Sequence, residues 1–371
     1  MKVTIERATF LKALSHVQSV VERRNTIPIL SNVMMQAEGG SLGLTATDLD
    51  IEIAERAPAD VASPGAITAS ALTLYEIVRR LPEGAQIRLD NTDDAGRLKL
   101  SAGKSEFSLA ALPDQDFPTL TTEEGGTRFT ISADELKRLI DKTRFAMSME
   151  ETRYYLNGVY LHAVKEGTPA LRAVATDGHR LARLDAALPD GAGDMPSVIV
   201  PRKTITELHR LLDGSSETVD VTVSETRIRF GYGDAVLTSK LIDGTFPDYA
   251  RVIPEGNDRE LKLDKTDFKN AVDRVATVSA DKTRSIKLEL ENDKLKLMVN
   301  NPEAGSALEE LSVDYGSDAL EIGFNARYLL DVAQQIEGET ATFMFADPSS
   351  PTIILDDADK DALFVLMPLR V

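Results

Sequence analysis

Asp177, Gly178, His179 and Arg180 place a carboxylate, an imidazole and a guanidinium within four residues, the side chains a general acid–base site would use. No nucleophile motif accompanies them, so the cluster reads better as a turn or a binding surface. Asp48, Asp50 and Glu52 alternate along what the pattern gives as one strand face, where three carboxylates could gather a divalent cation. The calcium-loop pattern breaks at Glu52 and Ile53, and a solvated strand face accounts for the alternation equally simply. Gly103-Lys104-Ser105 resembles the end of a phosphate-binding loop, but Leu98 stands where that motif requires its first glycine. Gly231-Tyr232-Gly233 begins a dinucleotide fingerprint that Val236 interrupts, and it reads as a turn between strands. His16, His162, His179 and His209 are the only histidines, and none lies in a zinc-protease pattern. With no cysteine anywhere, thiolate chemistry and disulfides are excluded. No catalytic residue, metal or cofactor is expected.

These residues sit on a chain whose 371 residues, 42% hydrophobic and 27% charged, suit two or three folded domains. No apolar run is long enough to span a bilayer, and the start MKVTIERATF lacks a secretory stretch, so no membrane partner and a cytoplasmic location are expected. The net charge of −18 argues against a uniformly charged nucleic-acid binder, an inference that fails if the charge is unevenly distributed.

A strand passing into a helix occurs three times. Val3 and Ile5 precede Phe10 and Leu14; Phe129 and Ile131 precede Leu136 and Ile140; Leu261 and Leu263 precede Phe268 and Val272. Each time the first helix position follows the second strand position by five residues, and another apolar residue follows four later. Asn32 and Asn157 open matching strands, and Ala46-Thr47-Asp48 aligns with Ala175-Thr176-Asp177. A second helix is predicted at Leu72 to Leu81, Ile205 to Leu212 and Tyr328 to Ile336, each stopped by a glycine at 84, 214 or 338. Short alternating strands such as Ile87 to Leu89, Val219 to Val223 and Ile286 to Leu290 complete each copy. The expectation is an α+β fold of three tandem domains, 1–125, 126–255 and 256–371, each with two helices and several strands.

The segments Arg153-Tyr154-Tyr155-Leu156-Asn157-Gly158, Ala175-Thr176-Asp177-Gly178-His179-Arg180-Leu181, Val200-Pro201-Arg202-Lys203 and Phe246-Pro247-Asp248-Tyr249 are long and specific. With Pro28-Ile29-Leu30 and Met367-Pro368-Leu369-Arg370, they resemble the bacterial β sliding clamps, processivity factors of the replicative DNA polymerase III. The resemblance covers essentially the whole chain. It implies a DNA clamp fold, half of a six-domain ring closed as a head-to-tail homodimer around double-stranded DNA. Such a protein is not an enzyme; a separate machine, the clamp loader, would open it.

The resemblance also implies sites. Helices lining the ring would offer Arg79, Arg80, Lys137, Arg138, Lys142 and Lys203 to phosphates, with Arg24, Tyr154 and Tyr155 on nearby loops. Glu150 and Glu151 set two carboxylates beside that tyrosine pair, which works against phosphate contact there. A pocket for linear motifs of the polymerase III catalytic subunit, the clamp loader, other polymerases and repair proteins would comprise Leu156, Thr176, Gly178, His179, Arg180, Leu181, Pro247, Arg251, Val252, Val365, Leu366, Met367 and Pro368. Arg180 and Arg251 would orient polar or acidic peptide groups. Phe107 and Leu109 on one edge, and Thr277 and Val278 on the other, are candidates for the dimer interface, with ordinary core packing the alternative. Two other functions remain as alternatives: a sequence-specific DNA-binding protein, and a metal-dependent nucleic-acid enzyme using Asp48, Asp50 and Glu52.

Overall fold

The computed structural model describes residues 1–22, 26–92, 96–120, 125–212, 217–279 and 284–370. Six α-helices appear among them: α1 (Arg7–Val17), α2 (Ala71–Arg80), α3 (Ala133–Thr143), α4 (Arg202–Leu211), α5 (Lys265–Ala276) and α6 (Ala326–Ala333). That is two for each copy of the repeat. The first helix of each copy starts where a strand ends on a residue that can accept a hydrogen bond. Glu6 accepts from the Thr9 N–H (2.9 Å), Ser132 from Glu135 (3.2 Å) and Asp264 from Asp267 (2.8 Å), so the strand's last side chain caps the helix. Phe10, Ala13, Leu14 and Val17 are buried along α1, and Phe268, Ala271, Val272 and Val275 repeat that face in α5. No described helix is long and apolar enough to cross a membrane.

The second helices of copies one and three stop for reasons other than glycine. α2 ends because Leu81 is extended ahead of Pro82, and Gly84 (φ +73°) serves the turn beyond. α6 ends at Ala333, short of Ile336; the Lys142 and Lys265 ammonium groups bind the free carbonyls of Gln335 and Ile336, the second at 2.9 Å. Gly338 is needed for space, since a Cβ there would lie 2.9 Å from the Asp356 Oδ1. Gly214 lies outside the described residues.

The chain divides into two compact units. Unit 1 holds 1–136, 189–196 and 203–241; unit 2 holds 137–188, 197–202 and 242–371. The second copy is therefore shared between them. In unit 1 a 13-stranded sheet joins copy one to the outer strands of copy two. Its seam is the antiparallel pairing of Ala235–Lys240 with Ile51–Pro58, with Ser239 opposite Ile51 and Ala235 opposite Glu55. In unit 2 a nine-stranded sheet does the same for copies two and three. There Asp359–Leu366 pairs with Arg180–Ala187, with Leu366 opposite Arg180 and Ala362 opposite Leu184. One rule describes both seams: the last strand of a copy pairs with the strand after the Thr-Asp turn of the copy before it. Two strands of these kinds are joined to no seam, the last strand of copy one, Ser105–Leu112, most of which pairs along one side only, and the third strand of copy three, Gly305–Ser312, which ends its sheet.

The Thr-Asp turn itself is built twice from the same hydrogen bonds. The Thr47 hydroxyl donates to the Ile51 carbonyl (2.9 Å) and accepts from the Leu49 N–H (3.0 Å), while Asp48 Oδ1 accepts from the Asp50 and Ile51 N–H groups. Thr176, Asp177, Gly178, His179 and Arg180 repeat each bond. The third residue is left-handed in both turns, Leu49 at φ +82° and Gly178 at φ +86°. Asp48 and Asp50 thus belong to a turn and not to one strand face. The three carboxylates diverge: Asp48 binds Lys203 (2.6 Å), Asp50 binds Lys240 (3.0 Å) and Glu52 accepts from the Leu120 N–H (2.9 Å).

Left-handed backbone costs a residue with a Cβ about 1–2 kcal/mol. Leu49→Gly is therefore expected to raise the thermal midpoint, and Gly178→Ala to lower it, since the new methyl would also meet the Arg153 guanidinium at 2.6 Å. Melting curves of the two variants check this; shifts of the same sign would contradict it.

Candidate functional site

An apolar concavity of unit 2 lies over its seam. It is a groove of about 120 Å³ lined by Leu156, Thr176, Gly178, Arg180, Leu181 and Pro247, with Asp248, Tyr249, Val252, Val365 and Met367. Backbone register makes it: Leu181 and Val365 are direct cross-strand partners, so both project from the same face of the sheet. Beneath them Leu156, Val174, Ile199 and Phe246 form a buried cluster, and Tyr160 stacks on Phe246 with ring centroids 4.7 Å apart. The loop that leaves the 235–240 strand folds back over this cluster and brings Pro247 to Val252 to the groove's outer wall.

The sequence expectation for this pocket changes in several places. Arg180 is buried, and its guanidinium is fully engaged: Nε to Asp177 (3.1 Å), Nη1 to Asp331 and Nη2 to the Phe145 carbonyl (2.6 Å), with Tyr328 and Phe145 rings at 4.5 and 5.2 Å. It ties copy two to α6, and because its guanidinium donors are committed to these partners, it is not placed to orient a ligand. His179 is exposed and lies against the Tyr328 ring, outside the wall. Leu366 is buried on the opposite face of the sheet from Val365, as strand alternation requires. Pro368 falls beyond the wall, which ends at Met367, where the N–H donates to the His179 carbonyl (2.9 Å). Arg251 is strongly exposed and paired with Asp248 (2.9 Å) on the short 3-10 helix Tyr249–Val252. Asp248 and Tyr249 line the groove and were missed, although Phe246-Pro247-Asp248-Tyr249 stood out as a motif.

At the matching place in copy one, the turn alignment puts a different pair of residues. Glu52 occupies the position of Leu181, and Leu120 that of Tyr249. The Glu52 carboxylate accepts the Leu120 N–H, bridging the two walls. Burial pushes the Glu52 pKa up, with the Leu120 N–H opposing it.

The basic residues proposed to face phosphates divide into two groups. Lys142 is buried, and its ammonium is held by Glu337 (2.9 Å), Asp359 (3.5 Å) and the Gln335 carbonyl, which removes it from the candidates. Arg138 joins it on Asp359. Lys203 binds Asp48, Glu22 and the Val20 carbonyl, the last at 2.9 Å. These three cations lock seams. Arg79 and Arg80, by contrast, are exposed and share Glu76 at the end of α2. Lys137 is half-buried on α3, Tyr154 is exposed and Tyr155 packs against the groove's core cluster. Arg153 chelates Glu150 (2.9 and 2.7 Å) and holds that carboxyl below its usual range, muting the repulsion expected beside the tyrosines. Arg24 lies outside the described residues. Of the interface candidates, Phe107 and Leu109 are half-buried on the 105–112 edge strand, and Thr277 and Val278 follow the end of α5.

Three family descriptions match the chain in succession: DNA polymerase III beta subunit, N-terminal domain at 1–121, central domain at 130–248 and C-terminal domain at 250–370. The beta sliding clamp of Caulobacter vibrioides is 58% identical over 372 residues, covering all of both chains. That of Escherichia coli is 41% identical over 374 residues, again covering all of both. Among solved structures, a sliding clamp of Bartonella birtlesii bound to griselimycin superposes with a TM-score of 0.98 at 50% identity, covering all of both chains. The three tandem clamp domains found in the repeat, the continuous seams and these full-length likenesses agree: the chain belongs to the DNA polymerase III beta subunit family, the beta sliding clamps.

Proposed function

We propose that this chain is a non-catalytic sliding clamp that pairs head to tail with a second copy around duplex DNA and tethers the replicative polymerase through the groove over its second seam. Its three domains are taken as 1–125, 126–255 and 256–371. The single observation that carries the pairing is the seam rule. Each seam joins the last strand of one copy to the post-turn strand of another, and the two strands of these kinds that no seam joins, 105–112 and 305–312, are one of each. Joined between two chains, they repeat the seam and remove the exposed edge. The register carries over as well. Buried Leu98 and Leu100 match buried Thr352 and Ile354, which aligns Phe107 and Leu109 with Phe364 and Leu366. Leu109 then faces Gly305 of the second copy, and Phe107 faces its Ala307. At the second seam the Phe145 ring meets the Phe364 ring at 5.9 Å. The equivalents of these two residues are Thr277 and Phe107, which supports both edges of the interface proposed from the sequence.

Within such a ring, loose phosphate contact from exposed cations would hold duplex DNA without reading its bases. Arg24, Arg79, Arg80, Lys137, Tyr154 and Tyr155 remain the candidates. The groove suits linear motifs of the polymerase III catalytic subunit, the clamp loader, other polymerases and repair proteins, because its walls are apolar and Met367 adapts to differing side chains. Griselimycin, bound by the Bartonella clamp, is inferred to enter the same groove here. The cytoplasm, where replication would employ such a ring, is the proposed location.

Clamp loaded on nicked circular DNA should stay bound until one restriction cut frees the ends, then be lost; retention on the linear product would rule out a sliding ring. Leu109→Lys should convert a dimer to a monomer in light scattering, since it puts a charge into the proposed strand pairing. Val252→Glu, on the groove's exposed rim, should weaken polymerase binding at least about tenfold with melting unchanged, because an unpaired carboxylate enters an apolar wall.

A further inference from the structure

The groove's outer wall is weakly anchored except at one atom. Among the described residues, the hydrogen bonds of the Asp248–Ile253 segment stay within the segment apart from those of the Tyr249 hydroxyl. The Asp248–Arg251 ion pair is solvent-exposed and adds little. The Tyr249 hydroxyl, by contrast, meets a row of three side chains on three neighbouring strands. His162 is directly opposite Arg172, and Arg172 directly opposite Asp185, on Gly158–Val164, Ala170–Thr176 and Arg180–Ala187. Asp185 chelates Arg172 through Nε (2.6 Å) and Nη2 (2.7 Å), leaving Nη1 to donate to the Tyr249 hydroxyl at 3.1 Å. His162 Nδ1 faces the Ala163 carbonyl (3.4 Å), which can only accept, so Nδ1 carries the proton of the neutral ring and Nε2, 3.0 Å from the hydroxyl, accepts from it.

We propose that Arg172, oriented by Asp185 and assisted by His162, is a positioning residue for the partner-binding groove: it acts through Tyr249, whose ring it fixes as the outer wall. This inference rests on the groove reading above. Burial, with the neighbouring Arg172 charge, holds His162 below the ordinary histidine range against the pull of the Ala163 carbonyl and Asp185. Asp185 sets the Arg172 pKa above its ordinary value. Arg183, two residues before Asp185, also faces this network, and burial lowers its pKa. The row sits outside the groove lining, so it tunes affinity without touching the ligand.

The test titrates griselimycin into the full chain, its Tyr249→Phe and Arg172→Met variants, and the double variant. Loss of one net hydrogen bond predicts about three- to tenfold weaker binding for Tyr249→Phe, with melting unchanged. Arg172→Met should cost a similar factor in the tyrosine background and nothing further in the phenylalanine background. The ratio of wild-type to Tyr249→Phe affinity should be constant above about pH 6.5 and fall towards one below it, because a protonated His162 can no longer accept. His179 is common to both proteins, so its contribution cancels from the ratio. A wild-type chain that does not bind griselimycin removes the groove reading and this inference together. A wild type that binds, with Tyr249→Phe equally tight or Arg172→Met equally costly in both backgrounds, overturns the positioning role alone. Tyr249→Phe deletes only a hydroxyl, so it remains informative should Arg172→Met fail to fold and strand Asp185.

Discussion

An antiparallel sheet cannot end on a long bare edge without inviting another strand, and this constraint organises the molecule. Each repeat leaves its post-turn strand open, and the next repeat fills it with its last strand. The chain is thereby divided into compact units that cut across its own repeats, because strands of copy two belong to the sheets of both neighbours. The same constraint makes the groove, since Leu181 and Val365 come from different copies and meet only because their strands pair.

The seams also recruit some of the chain's cations. Lys203 in the first seam, and Arg138, Lys142 and Arg180 in the second, each meet carboxylates of another copy, and Lys203, Lys142 and Arg180 meet backbone carbonyls as well. Buried pairs of this kind add little net stability over apolar packing, but breaking one strands a charge, so they penalise any other register.

Duplication has been followed by divergence at a few atoms. The Thr-Asp turn survives bond for bond in copies one and two, yet Leu49 carries a strained left-handed backbone where Gly178 is relaxed. Glu52 and Leu181 occupy one position and do opposite things: a carboxylate that captures a backbone N–H closes the surface, and an apolar side chain leaves it open. The contrast between the first and second seams at this position thus follows from local chemistry on a shared backbone.

The sequence by itself determined the elements and their repetition. Strand and helix faces are written in spacings of two and of three to four residues, and caps such as Glu6, Ser132 and Asp264 act within one turn, so neighbours along the chain suffice to read them. Family motifs carried most of the groove as well. Tertiary structure decided which functional-looking side chains are already committed. Lys142 looks available on its helix, but it is buried by carboxylates and a carbonyl from the third copy. Arg180 reads as a ligand-binding cation until Asp331 and the Phe145 carbonyl claim it, and Tyr249 reads as a motif residue until His162 and Arg172 are seen to hold its hydroxyl. Periodicity tells which way a side chain points. What it meets there is set by strands and helices distant along the chain, which only folding brings within hydrogen-bonding range.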